Sequence, residues 1–147
     1  MPKECAFCEP EQFADRIINA NEQATAFLST PRLMPGHTLV IPNRHVELPS
    51  ELTGEEVAAI FDLIAPIHVR LLGSLAVGVD IWQKARPFVP QDGHKVDHVH
   101  FHVLPSQPGE ELYGEALNWR RSQFAPLSVE ERDDMIVLLG GESADDA

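Results

Sequence analysis

Between positions 98 and 105 the chain reads His98-Val99-His100-Phe101-His102-Val103-Leu104-Pro105, placing three of its seven histidines at every second residue. Alternation of this kind belongs to a β-strand with two unlike faces. Val99, Phe101 and Val103 are expected to turn to the core, and His98, His100 and His102 to line the opposite face. Two chemistries suit such a row. Neighbouring histidines lie roughly 6.6–6.8 Å apart along a strand and can converge on one metal ion, but the outer pair, about 13 Å apart, cannot share it. In the other, the middle imidazole, His100, is largely unprotonated near neutral pH and attacks phosphorus while an acceptor fixes its tautomer. A middle histidine flanked by two proton-handling neighbours suits that second task.

Cys5 and Cys8 are the only cysteines. Their CxxC spacing offers two corners of a tetrahedral zinc site, which then needs two further ligands; a disulfide would be unusual in a cytosolic chain. The formal charge of −12 argues against binding along a nucleic acid, which needs a basic face. The window from Lys84 to Pro105 is an exception, with Lys84, Arg86 and Lys95 against Asp92 and Asp97. It suits a small anionic ligand. No apolar run approaches bilayer-spanning length and the N-terminus lacks the apolar core of a secretory signal, so a cytoplasmic protein with no membrane partner is expected.

These residues need elements to hold them. At 147 residues the chain is expected to form a single domain over 1–147, with a core at about 5–105 and a C-terminal extension at 106–147. Residues 15–19 and 24–28 read as strands around an Asn21-Glu22-Gln23 turn, and 38–41 as a short buried strand closed by Pro42. Thr53-Gly54-Glu55-Glu56 has the form of a capping box. Val57, Ile60, Phe61, Ile64, Ile67 and Leu71 then recur at helical spacing, so a long helix runs to about Leu72, with a kink at Pro66. Strands follow at 77–82 and 96–104. Ser128-Val129-Glu130-Glu131 repeats the capping pattern before a last helix reaching Leu139. The class is α+β with an antiparallel sheet.

The segment from His98 to Leu104 resembles the signature of the histidine-triad (HIT) family, His-φ-His-φ-His-φ-φ. Cys5-Ala6-Phe7-Cys8 resembles that family's N-terminal CxxC, and Ala26-Phe27-Leu28 followed by Pro35-Gly36-His37-Thr38-Leu39-Val40-Ile41-Pro42-Asn43-Arg44-His45 its second strand, loop and third strand. The resemblance covers roughly residues 5 to 105. It implies a five-stranded antiparallel sheet with a long helix, here followed by a C-terminal helix, assembled as a homodimer. The implied activity is hydrolysis or transfer at the α-phosphorus of a small-molecule nucleotide conjugate, through a nucleotidyl-histidine intermediate and with no cofactor in the chemistry.

By position, the resemblance makes His100 the nucleophile, His102 a phosphate contact that helps handle the proton, and His98 a support for the imidazole row or a metal ligand. Gln83 falls where some members have a glutamine that reaches the phosphate, and would act as an oxyanion donor. His45 and His98 match positions used by zinc-binding members, so with Cys5 and Cys8 they would close a structural zinc site. His37 and His68 read as ordinary strand-edge and helix residues. Three departures bear on substrate. The loop before the triad is about three residues longer than usual, with His94 and Lys95 where Gln and Ser or Thr are common, so Lys95 would supply a charged donor. Ser29 replaces the acidic residue that holds the ribose, which weakens nucleoside recognition. Trp82 replaces a small residue and would stack on substrate or fill core. Two rival readings stand beside the enzyme: a weakly catalytic nucleotide-binding or scaffold module, and a metal-dependent hydrolase using a His-x-His pair.

Overall fold

The computed structural model describes residues 5–92, 95–108, 119 and 121–142. Three short 3-10 turns, Ala6–Cys8, Pro10–Gln12 and Ala14–Arg16, lead into strand β1 (Ile17–Ala20). Then come β2 (Ala24–Leu28), β3 (Thr38–Pro42), helix α1 (Gly54–Ser74), β4 (Gly78–Gln83) and β5 (Phe101–Ser106). The strands form one antiparallel sheet in the order β1-β2-β3-β5-β4, so β5 lies between β3 and β4. This is the expected α+β class with a five-stranded sheet. The triad segment is strand only from Phe101 onward; His98 to His100 precede it in irregular chain, three residues of backbone that the alternation had assigned to strand.

The capping box forms as its residues predict: the Thr53 hydroxyl accepts from Glu56 N–H at 3.1 Å, and the Glu56 carboxylate accepts from Thr53 N–H at 3.0 Å. Arg44, just past β3, donates to the same carboxylate at 2.7 and 3.1 Å, tying the helix start to the sheet. These bonds hold the Glu56 carboxyl near 2, well below its ordinary 4.5, the Arg44 contact first and the Thr53 backbone second. Helix α1 continues as one α-helix through Pro66. Its buried stripe is Ile60, Leu63, Ile64, Ile67 and Leu71, packed with Ala24, Ala26, Val40 and Val103 of the sheet. The stripe sits slightly rotated from the expected one: Val57 and Phe61 are 43% and 45% exposed, and Leu63 is buried instead. By length and composition alone α1 is apolar enough to cross a membrane, which the sequence reading did not anticipate. Its packing on the sheet accounts for the buried stripe, and Val57, Phe61, Val69 and Leu72 remain exposed.

The other sheet face carries a second cluster, Phe13, Phe27, Leu39 and Ile41, with Phe7 against it. Phe13 stacks on Phe27 with centroids 4.3 Å apart. The N-terminal turns therefore cover the face opposite α1. The chain divides into two compact units, Met1–Glu110 and Glu111–Ala147. In the second, helix α2 (Val129–Leu138) starts at Ser128, whose hydroxyl accepts from Glu131 N–H at 3.1 Å, as the capping pattern predicts.

Candidate functional site

Register decides which side chains meet. Paired residues of an antiparallel sheet share a face. Phe27 pairs with Leu39, Leu39 with His102, and His102 with Trp82, so these four form one row across β2, β3, β5 and β4 on the face opposite α1. Phe101 and Val103 turn the other way, Phe101 meeting Phe61 of α1 and Val103 joining the α1 core, as the alternation predicts. His100 returns to the site face, its ring 5.0 Å from that of His102 and edge-to-face with Phe7 at 5.4 Å. His98 is 1% exposed, while His100 and His102 are half-buried, so the row runs from the interior out to an accessible face.

Each ring has a proton position set by the backbone. The His100 Nδ1 lies 2.7 Å from the His98 carbonyl oxygen, which can only accept; Nδ1 therefore carries the proton and Nε2 the lone pair. The His98 Nε2 donates to the Pro42 carbonyl at 2.8 Å, leaving Nδ1 as its lone-pair nitrogen. The third assignment runs through His37. Leu33 N–H donates to His37 Nδ1 at 3.1 Å, so His37 is protonated at Nε2. That N–H then donates to His102 Nδ1 at 2.8 Å, which puts the His102 proton on Nε2. Burial, with the neighbouring His100 second, holds His37 near 4. Burial, then His100, His37 and Lys84, holds His102 near 3. Burial also lowers His100, against the pull of its bond to the His98 carbonyl. Both site imidazoles are thus kept neutral near pH 7, one offering a lone pair and the other an N–H.

His37 was given an ordinary strand-edge role by the sequence reading, and the structure corrects this: it is 4% exposed and holds His102. Its placement depends on Gly36, which has φ +90°, a conformation that favours glycine. A Cβ there would meet Leu75 Cδ1 at 3.0 Å and Leu71 Cδ2 at 3.2 Å.

The other expected site residues divide. Trp82 lies on the site face, its ring centroid 6.4 Å from that of His102. Gln83 pairs with Phe101, which places it on the α1 face, and its amide donates to the Lys84 carbonyl at 3.1 Å. The Lys95 ammonium is engaged by the Asp97 carboxylate and the Val89 carbonyl. Ser29 follows β2, and its hydroxyl donates to the Pro31 carbonyl at 2.8 Å, so toward a ligand it acts as an acceptor. His94 lies outside the described residues.

Beside His100 is a second cluster. Donor atoms of Cys5, Cys8, His45 and His98 all lie within 4.8 Å of one another and could hold a metal ion. The Cys8 N–H to Cys5 carbonyl bond of 3.1 Å closes the turn that brings the two sulfurs together. The Val99 N–H to Val46 carbonyl bond of 2.6 Å clamps the two histidine-bearing segments. The His98 Nδ1, made a lone-pair donor by Pro42, lies 3.3 Å from Cys5 Sγ and 3.6 Å from Cys8 Sγ; the His45 Nδ1 lies 3.3 Å from Cys8 Sγ. An outer bond that orients a ligating histidine in this way is a regular feature of metal sites.

The HIT domain family model matches residues 11–109 of this chain. The chain belongs to the HIT family. An adenosine 5′-monophosphoramidase of Schizosaccharomyces pombe is 32% identical over 140 residues, covering 94% of each chain. The asymmetrical bis(5′-nucleosyl)-tetraphosphatase of the same organism is 25% identical over 113 residues, 75% of this chain and 59% of that one. In structure, a HIT family protein from Bacillus anthracis superposes with a TM-score of 0.72 at 21% identity, covering 95% of this chain and 96% of that one. HIT relatives thus include nucleotide hydrolases, and the HIT signature of this chain is the segment whose tautomers are fixed above.

Proposed function

We propose that this HIT protein hydrolyses or transfers at the α-phosphorus of a small nucleotide conjugate, with His100 as the nucleophile. One observation carries the reading: the His100 Nδ1–H bond to the His98 carbonyl, which leaves Nε2 unprotonated on the site face. In the proposed step the Nε2 lone pair forms a bond to phosphorus as the bond to the leaving group breaks, and the imidazole becomes positively charged. The His98 carbonyl, already accepting from Nδ1–H, stabilises that charge, much as a buried acceptor does for the histidine of a hydrolase triad. Water then attacks the same phosphorus as the P–Nε2 bond breaks; the electron pair returns to Nε2, giving the neutral imidazole, and the proton of the water leaves to solvent. The His102 Nε2–H serves as a donor to a phosphoryl oxygen. It orients and does not relay, because His37 could pass its proton to His102 only by becoming an anion.

The metal cluster fits zinc. Tetrahedral bonds of 2.0–2.3 Å put neighbouring N and S ligands about 3.5 Å apart; three of the four sulfur–nitrogen separations are 3.3, 3.3 and 3.6 Å, and all the donor atoms lie within 4.8 Å of one another. Cys5, Cys8, His45 and His98 would hold the ion, and four protein donors leave no position for a reacting water, so its contribution is structural. Rapid quenching of the protein with phosphorus-labelled nucleotide substrate should trap label on the chain, and His100→Ala should abolish the adduct. Label that persists in His100→Ala, or turnover in that variant above about a tenth of normal, a barrier change under about 1.4 kcal/mol, rejects His100 as nucleophile.

A further inference from the structure

The β4–β5 ladder runs through six consecutive pairs, from Gly78 with Ser106 to Gln83 with Phe101. Gln83 ends it on the α1 face, Trp82 lies on the face that carries His102, and Lys84 follows directly after the last pair. The Lys84 Nζ lies 4.6 Å from the centroid of the Trp82 ring. An ammonium over an indole face is attracted by the ring quadrupole, so Trp82 serves as a shelf that keeps this charge beside the histidines. Of the three cations in the basic window, Lys95 is matched by Asp97. Trp82 pairs with His102, so it is the ring contact that places the Lys84 charge on the site face.

We propose that Lys84 binds the leaving group of the substrate and makes the protein selective for anionic leaving groups, phosphate, pyrophosphate or a nucleotide, over amines. The inference rests on the α-phosphorus reading above. An anionic leaving group gains negative charge as its bond to phosphorus breaks, and a fixed cation at the end of β4 stabilises that charge most at the point of departure. An amine leaving group offers no such charge and, when protonated, is repelled. The influence of Lys84 on His102 agrees with a charge held close to the site.

The test compares two substrates with the same adenylyl group: a diadenosine polyphosphate, with an anionic leaving group, and an adenosine phosphoramidate, with an amine. In Lys84→Met the apolar stem over Trp82 is kept and the charge removed; Lys84→Arg keeps the charge. The ratio of kcat/KM for polyphosphate over phosphoramidate should fall about tenfold or more in Lys84→Met, equivalent to about 1.4 kcal/mol of selective stabilisation. In Lys84→Arg it should recover to within about threefold of the unaltered protein, a difference under about 0.7 kcal/mol. Equal losses on both substrates would show a structural role for Lys84 and overturn the proposal, as would an unchanged ratio. Labelled adduct at His100 with an unchanged ratio removes the Lys84 inference alone. No turnover of either substrate by the unaltered protein removes the α-phosphorus reading with it.

Discussion

If the His37 side chain sets the proton position of His102, two small amides should separate its two bonds. In His37→Asn the amide oxygen can stand where Nδ1 stands and still accept from Leu33 N–H, but the side chain is too short to reach His102. In His37→Gln the terminal amide can occupy the place of Nε2 and donate to His102 Nδ1. The native bonds are 3.1 Å to Leu33 and 2.8 Å to His102. Losing the second removes a hydrogen bond with a net value of about 0.5–1.5 kcal/mol, or about 2- to 13-fold in rate if it acts on the transition state. It also releases His102 to adopt the other tautomer, which turns a lone pair toward the phosphoryl oxygen and costs about a further twofold if both forms are populated equally. Turnover in His37→Asn should therefore fall about tenfold, with KM changed less than kcat, and His37→Gln should recover part of the loss. Nitrogen chemical shifts of the His102 ring supply a readout that simple destabilisation would not move. They should report one tautomer in the unaltered protein and in His37→Gln, and a mixture in His37→Asn. Equal kcat in the two variants, or a single His102 tautomer in His37→Asn, would refute the reasoning.

Acid supplies a further measurement. The Glu56 carboxyl is held near 2 rather than 4.5, so its contribution is complete above 4.5 and fades as pH falls toward 2. Glu56→Gln should lower stability at pH 7 by about 1–2 kcal/mol, discounted because its partner Arg44 is half exposed. The gap should narrow steadily in urea melts as pH falls from 4.5 toward 2, and a gap constant with pH would contradict the ion-pair origin. The proposed site at Cys5, Cys8, His45 and His98 predicts about one zinc per chain, with the expected stoichiometry taken from four ligands per ion. Cys5→Ser with Cys8→Ser should abolish that zinc and lower Tm more than kcat. The Cys5 thiol is raised to about 11 by burial and the bond to Cys8, so zinc must displace its proton and affinity should fall as pH drops. Reduced protein supplied with zinc that shows none by metal analysis would dismiss the site.

Much of this site could be read from sequence because the local code and the global fold agree there. Alternation gave the inward Phe101 and Val103. The capping box gave the start of α1, and the four proposed metal donors converge. The failures share a cause, which is register. His37 and His102 are 65 residues apart and meet only because Leu39 pairs with His102, a fact of strand pairing that no local pattern contains. The same ladder gives the α1 face to Gln83 and the site face to Trp82, and in a strand a shift of one residue moves a side chain to the other face. Lys95 could not be recognised as neutralised from its own position, since its Asp97 and Val89 partners are brought to it by the loop.

The histidine alternation also implies a shared role that the geometry makes physical. Evenly spaced imidazoles would be interchangeable on an open strand, but here each takes its proton position from a different source: the Pro42 carbonyl for His98, the His98 carbonyl for His100, and Leu33 through His37 for His102. None of these assignments depends on a charged partner, so none is lost to salt or to titration of a surface carboxylate. His98 takes part twice, offering its ring to the cysteine cluster and its carbonyl to His100. The carbonyl is positioned by the Val99 to Val46 backbone bond as well as by the ring. The cluster and the proposed nucleophile therefore share a residue without sharing an atom. For this reason removing a metal held by the proposed cluster should weaken the fold around His100 before it alters the direction in which Nε2 points.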